Sequence, residues 1–200
     1  MEHIEQPETT TTTTHIINRG AGAGGANTNK NGLSYEDLTD LSSNYMEIGT
    51  INSGKHKYKS VRFEPCENIY INVNKSKLHS YMDFIQEKDK TIIPAAGCKE
   101  PDEAYVENNT KNIFIIEKKF QQGPGSVDEK IQTCLFKKIH YSKLFPNHKI
   151  HYIYCLSEWF KKDEYISVIE YMNENGIPIF WGNDEHYKKN IIEYMISNSV

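Results

Sequence analysis

The stretch from Pro101 to Lys119 constrains the fold of this 200-residue chain most. Asn108-Asn109-Thr110-Lys111 is a cluster of turn-forming residues, and an unbroken apolar run, Ile113 to Ile116, follows it. Segments of this kind on either side of a turn read as a β-hairpin, Glu103–Glu107 with Asn112–Lys119. Side chains alternate between faces along a strand. Ile113, Ile115, Glu117 and Lys119 then share one face, and Phe114, Ile116, Lys118 and Phe120 the other. The same hairpin returns Asp102, which follows Pro101, to the side of Glu117.

Two carboxylates side by side repel unless a cation joins them. Oxygen-only donors favour a hard ion, and Mg²⁺ typically takes one or two carboxylates and retains its waters. Such an ion polarises a phosphoryl oxygen and acidifies a bound water. A lysine beside that water, here Lys119, can orient it, help take its proton or stabilise charge on the phosphate. The arrangement suits phosphodiester hydrolysis. The plainer reading is a surface hairpin with a charged strand end, since an acid two residues before a lysine is common. Pro-Asp, the apolar run and the elements downstream favour the chemical reading.

The rest of the chain reads as one domain behind a tail. Residues 1–18 include six consecutive threonines and few apolar side chains, the composition of a disordered segment. A glycine-rich loop spans 19–32, either a flexible linker or a loop whose bare backbone, with Arg19, Asn29 and Lys30, approaches a ligand closely. A helix is predicted over 33–44, capped by Ser34. Residues 45–66 show no clear pattern, although Lys55, Lys57, Lys59 and Arg62 form a small basic group. A strand over 68–73 and a helix over 76–86 follow. Beyond Lys119, Gly123-Pro124-Gly125 ends the strand, and Ser126-Val-Asp-Glu129 has the form of a capping box for a helix over 127–144. Strand 150–156, helix 163–175 closed by Gly176, an edge strand 177–181 broken by Pro178 and helix 185–196 complete the order. This alternation predicts an α/β fold, a central mixed β-sheet flanked by helices. His140, His148 and His151 read as structural or exposed.

Net charge is −4, which does not by itself mark a nucleic-acid binder. The distribution is uneven: Lys111 to Lys149 holds eight lysines and three acids, a basic zone beside the two carboxylates. Lys130, Lys137 and Lys138 could track phosphates there or merely form a solvated helix face. Gln121 and Gln122 could reach the site from the strand end or stay as solvated loop amides. The four cysteines show no C-x-x-C pair and no zinc spacing, so reduced thiols in an intracellular protein are expected. No apolar run approaches a membrane span, and the first residues lack the pattern of a signal peptide.

The string P-D…E-K-K-F-Q-Q-G-P-G-S-V-D-E-K-I-Q-T resembles the PD-(D/E)xK nuclease motif, in the form found in type II restriction endonucleases, and is closest to small enzymes of bacteria and large algal viruses. The similarity continues through Tyr152–Ile169 and back to Arg19–Leu41. The core motif is short and degenerate, and the longer string is more specific. The resemblance implies a restriction-endonuclease-like fold over 19–200 and Mg²⁺-dependent cleavage of double-stranded DNA at a short sequence. It implies 5′-phosphate ends, a homodimer and a cognate DNA methyltransferase in the same system. Asp102 and Glu117 would hold the metal with the Lys118 carbonyl, and Lys119 would be the catalytic lysine. Glu103, beside Asp102, competes for the first ligand position. Glu36 matches an early-helix acid that such nucleases place at the metal's edge, or it serves only the helix dipole. Arg19, Asn29, Lys30, Gln121, Gln122, Lys130, Lys137 and Lys138 would contact DNA. The rivals are a junction resolvase or repair nuclease of the same superfamily and a non-catalytic DNA-binding protein.

Overall fold

A computed structural model describes residues 26–98 and 100–199. The Thr-rich tail, Arg19 and the first part of the glycine-rich segment lie outside the described residues. One seven-stranded sheet runs β1 (Met46–Ser53), β2 (His56–Arg62), β3 (Tyr70–Asn72), β4 (Glu103–Glu107), β5 (Asn112–Lys119), β6 (Lys149–Leu156) and β7 (Ile179–Trp181), with spatial order equal to chain order. Strands β1 to β5 are antiparallel neighbours, whereas β5, β6 and β7 are parallel. Parallel neighbours need crossovers. These are supplied by α3 (Val127–Ile131) with α4 (Cys134–Leu144), and by α5 (Ile166–Glu174).

The β4–β5 hairpin has the predicted bounds. Its turn is built by Glu107, whose buried carboxylate accepts from the amides of Asn109 (3.0 Å) and Thr110 (2.7 Å). Lys111 takes the left-handed conformation that closes it, φ 56°. Alternation along β5 feeds two cores. Ile113 and Ile115 pack with α2 (Lys77–Phe84), α4 and α5, around Leu78, Met82, Tyr141 and Met172. Phe114 and Ile116 pack with α1 (Ala26–Leu38) and α6 (Tyr187–Ser197), around Tyr35, Tyr187, Ile191 and Met195. The result is an α/β protein with a mixed sheet flanked by helices on both faces. No helix of the described residues is long and apolar enough to cross a membrane.

Several expectations need correction. The helix predicted over 33–44 begins at Ala26, so Asn29 and Lys30 are helical and Ser34 is interior. It ends at Leu38, because the Asp40 carboxylate accepts from Ser42 N (2.7 Å) and starts a separate 3-10 turn. Residues 45–66 are not patternless chain but the β1–β2 hairpin, turned at Gly54, φ 56°. β1 is an edge strand exposed along most of its length, so no apolar alternation marks it. The helix predicted over 127–144 breaks at Gln132–Thr133 into α3 and α4. Ser126 makes no side-chain cap; Asp128 instead accepts from Gly125 N at 3.1 Å. Ile139, on α4, is exposed. Pro178 does mark an edge: β7 is outermost and starts just after it.

Candidate functional site

The charged cluster sits at the end of β5, where the sheet changes from antiparallel to parallel pairing. Glu103 pairs with Ile116, so Asp102, one residue earlier, falls opposite Glu117. The backbone amide of Lys118 donates to Asp102 Oδ2 at 2.8 Å and fixes that carboxylate against the strand. Lys119 Nζ lies 3.1 Å from Asp102 Oδ2, 2.9 Å from Glu117 Oε2 and 3.0 Å from the Lys118 carbonyl oxygen. Three oxygens from three residues therefore surround one ammonium. Lys137, from α4, approaches Glu117 Oε2 at 3.6 Å. Asp102, Lys119 and Lys137 keep partial access to solvent, while Glu117 is buried.

Electrostatics follow from this packing. Burial alone would lower the pKa of Lys119, but the charges of Glu117 and Asp102 outweigh it and hold the lysine above its ordinary value. Burial, and then the negative charge of Asp102, raise the Glu36 carboxyl despite Lys75, Lys118 and Lys119. Glu36 thus stands within the field of the cluster, half-buried, on the far helix α1. Behind Glu117, on the α4 side, stand Tyr152 and Tyr154 of β6 and Tyr141 of α4, all fully buried. Burial first and the Glu117 charge second push all three phenols up. Their hydroxyls have no hydrogen-bond partner among the described residues.

The Lys118 side chain points to the other face, as alternation requires. Its Nζ pairs with Glu103 Oε2 at 2.8 Å in a sealed environment. Glu103 is thereby engaged away from Asp102, and the first carboxylate of the cluster is Asp102.

The sequence-predicted contact residues are scattered. Gln121 is buried, and its amide donates to Asp128 Oδ1 at 2.7 Å. Gln122 is exposed and lines a cleft of about 140 Å³ with Asn31, Tyr35, Phe120 and Asn183. Lys130 is exposed on α3. Lys138 donates to the carbonyls of Asn175 (2.7 Å) and Gly176 (2.9 Å), closing the C-terminal end of α5. Among the members of this group whose side chains the structure describes, only Lys137 joins the carboxylates; Arg19 and the side chains of Asn29 and Lys30 lie outside the described residues. His140 accepts from Ala95 N at 2.9 Å, and His151 bonds Tyr194 and Asn112, which leaves both in structural positions.

A cleft of about 690 Å³ between Pro124, Asp128, Gln132, Tyr165 and Tyr171 lies away from Asp102 and Glu117. The charged cluster, where two carboxylates, a main-chain carbonyl and an ammonium converge, is the better candidate for chemistry. Among the described residues no group of three or more His, Cys, Asp or Glu has metal-binding geometry. The donor set nevertheless fits a hard cation. Asp102, Glu117 and the Lys118 carbonyl offer oxygen alone, and the Lys119 ammonium stands in for the ion where they converge. No protein-family model, curated protein or solved structure matches the chain.

Proposed function

We propose that the chain is a Mg²⁺-dependent endonuclease of the PD-(D/E)xK, restriction-endonuclease-like kind. It would hydrolyse phosphodiester bonds of double-stranded DNA at a short specific sequence and leave 5′-phosphates. The observation that carries this reading is the convergence of Asp102, Glu117 and the Lys118 carbonyl on one cationic centre at the end of β5.

Asp102, Glu117 and the Lys118 carbonyl would hold Mg²⁺, with Glu36 as a further acid. When bound, the ion supplies charge stabilisation on the phosphate and an acidified water. The raised pKa of Lys119 makes its Nζ a poor base while it bridges the two carboxylates. Its part is to donate: Nζ–H orients the attacking water and meets the charge that develops on the non-bridging phosphate oxygen. Lys137 adds a second positive charge beside Glu117, which favours a polyanion at this end of β5. A homodimer inside the cell, paired with a methyltransferase that protects the same sequence, completes the proposal.

A digestion of a sequenced plasmid by the full chain tests it. With Mg²⁺, wild type is expected to give discrete bands whose ends map to one short sequence and carry 5′-phosphates. Chelator, Asp102→Asn or Glu117→Gln should abolish them, since uncatalysed phosphodiester hydrolysis is extremely slow. Nicks confined to branched substrates would indicate a structure-selective nuclease instead. Folded wild type with no Mg²⁺-dependent cutting of any DNA would overturn the reading.

A further inference from the structure

The cleft beside Gln122 gathers side chains from three separate parts of the chain. Asn31, Ser34 and Leu38 come from α1, Phe120 and Gln122 from the segment just past β5, and Asn183 from the turn after β7. Packing sets its shape. The Phe120 ring lies 5.2 Å from that of buried Tyr35 on α1. Gly182 lets the β7 end approach the same helix, since an added Cβ there would lie 2.7 Å from Thr39 Cγ2. Asn183, the next residue, is thereby carried to the wall of the cleft. Gln121 is spent on Asp128 at 2.7 Å, whereas Gln122 and Asn183 are exposed.

The place and the chemistry of this cleft point the same way. Ligands of parallel sheets gather beyond the carboxyl ends of the strands. Gln122 follows Lys119 by three residues, so the two lie at most about 11 Å apart along the chain. The major groove of a duplex is about 8.5 Å deep, so a base edge lies at a similar remove from the phosphates on its rim. In that groove a side-chain amide matches adenine, donating to N7 and accepting from N6. Arginine or lysine matches guanine, and a carboxylate accepts from cytosine. Among the described residues that line the cleft, three carry amides and none is charged. Leu38 is 61% exposed at its edge and offers the apolar contact that a thymine methyl takes. At about 140 Å³ the cleft is smaller than the roughly 300–1,000 Å³ of a small-molecule pocket, so it suits a base edge rather than a whole nucleotide.

We propose that this cleft is a base-reading subsite for an A·T pair, approached through the major groove, with Gln122 on adenine N6 and N7 and Leu38 against the thymine methyl. This rests on the reading of the carboxylate cluster as a DNA-cleaving centre. Base pairs stack 3.4 Å apart, so the pair read lies within about three steps of the cut phosphate. Gln122 is the reader because it is the amide tied most closely to Lys119.

The experiment is digestion of a random-sequence duplex library by the full chain with Mg²⁺, followed by sequencing of the cut ends. Wild type, Gln122→Ala and Leu38→Ala are compared, each checked by thermal melting. Wild type is expected to require an A·T pair inside that window. A bidentate contact to a base carries roughly 10-fold or more in discrimination, so Gln122→Ala should relax the preference at that one pair by this factor and leave the other positions alone. Two modified substrates put the same question to the unaltered protein. 7-Deazaadenine at the pair lacks the N7 acceptor and should slow cleavage by about 10-fold. Uracil in place of thymine lacks the methyl and should slow it by about 4-fold, an effect that Leu38→Ala should abolish. A recognition sequence with only G·C pairs in the window, a folded Gln122→Ala that slows all sequences equally, or undiminished cleavage of the 7-deazaadenine substrate would overturn the subsite and leave the nuclease reading standing. Folded wild type that cuts no DNA would overturn both.

Discussion

Lys119 Nζ lies 3.1 Å from Asp102 Oδ2 and 2.9 Å from Glu117 Oε2, so one side chain bridges the two carboxylates that strand register sets face to face. Without a cation between them these acids would repel. The ammonium therefore neutralises the site, and a divalent ion entering it must first displace the lysine. The displaced Nζ remains tethered to β5 within reach of whatever the metal binds. On the proposed reading, the same residue would stand in for the ion when it is absent and become a hydrogen-bond donor when it is present.

Lys119→Met separates these two parts. Removing the ammonium should strengthen Mg²⁺ binding, by several-fold, because the ion no longer competes with it. Cleavage should fall by about 10²–10⁴, the usual range for loss of a positioned proton-handling side chain. Calorimetry and single-turnover cleavage on one preparation check both. Weaker metal binding together with retained cleavage would remove Lys119 from the site's chemistry.

Lys137 and Lys130 should behave differently, although sequence alone groups them. Lys137 lies 3.6 Å from Glu117 Oε2, whereas Lys130 is exposed on the short helix α3. Lys137→Gln is expected to lower the cleavage rate at saturating DNA by roughly 10-fold, through lost charge stabilisation beside the scissile phosphate. Lys130→Gln should leave that rate alone and, if it meets a phosphate, reduce the salt slope of binding by about one unit. Equal effects of both changes on binding alone would make Lys137 an ordinary phosphate contact.

The β4–β5 hairpin was legible because its signals are local: turn residues, an apolar run and period-two alternation all lie within Glu103–Lys119. The facing of Asp102 and Glu117 follows from them. The Glu103–Lys118 pair was also within reach. Glu103 pairs with Ile116, and Lys118 shares the face of Ile116, so the two charges must lie on one face. Other features were not legible for physical reasons. β1 is an edge strand without a buried face, and the break between α3 and α4 carries no proline or glycine. The approach of Lys137 to Glu117 depends on how α4 crosses the sheet, which no local pattern encodes.

Gly182 tests the docking of α1 from its other side. A Cβ at this position would lie 2.2 Å from the Tyr35 hydroxyl oxygen and 2.7 Å from Thr39 Cγ2, both on the buried side of the α1 segment. Neither neighbour has room to withdraw, since Tyr35 belongs to the second core and Thr39 is fully buried. Gly182→Ala is expected to destabilise the protein by about 1–3 kcal/mol, as overpacking does. At this chain length each 1 kcal/mol corresponds to roughly 2–4 °C in Tm. A melting curve that matches wild type would mean that α1 is not seated against the β7 end as described.

His151 should make stability depend on pH. It is buried and stacked on Phe114, with Nε2 facing Asn112 Oδ1 at 3.0 Å and Nδ1 facing the Tyr194 hydroxyl at 3.1 Å. Asn112 Oδ1 can only accept, so Nε2 carries the proton and Nδ1 accepts from Tyr194. Protonating Nδ1 would break that bond and bury a charge. Burial, reinforced by Lys149 and Lys138, accordingly lowers the pKa from 6.5 to about 4. The folded state then binds fewer protons than the unfolded state between these values, so stability is fully present above pH 6.5 and declines as pH falls toward 4. His79 and His148, also lowered by burial, act in the same sense. For His151 alone the loss between pH 7 and pH 5 is about 2 kcal/mol, at roughly 1.4 kcal/mol per pH unit. Urea unfolding at the two pH values, compared with His151→Gln, measures it. The variant should be less stable at pH 7 and lose less on acidification. A variant that loses as much as wild type would show that His151 is not held neutral in the folded protein.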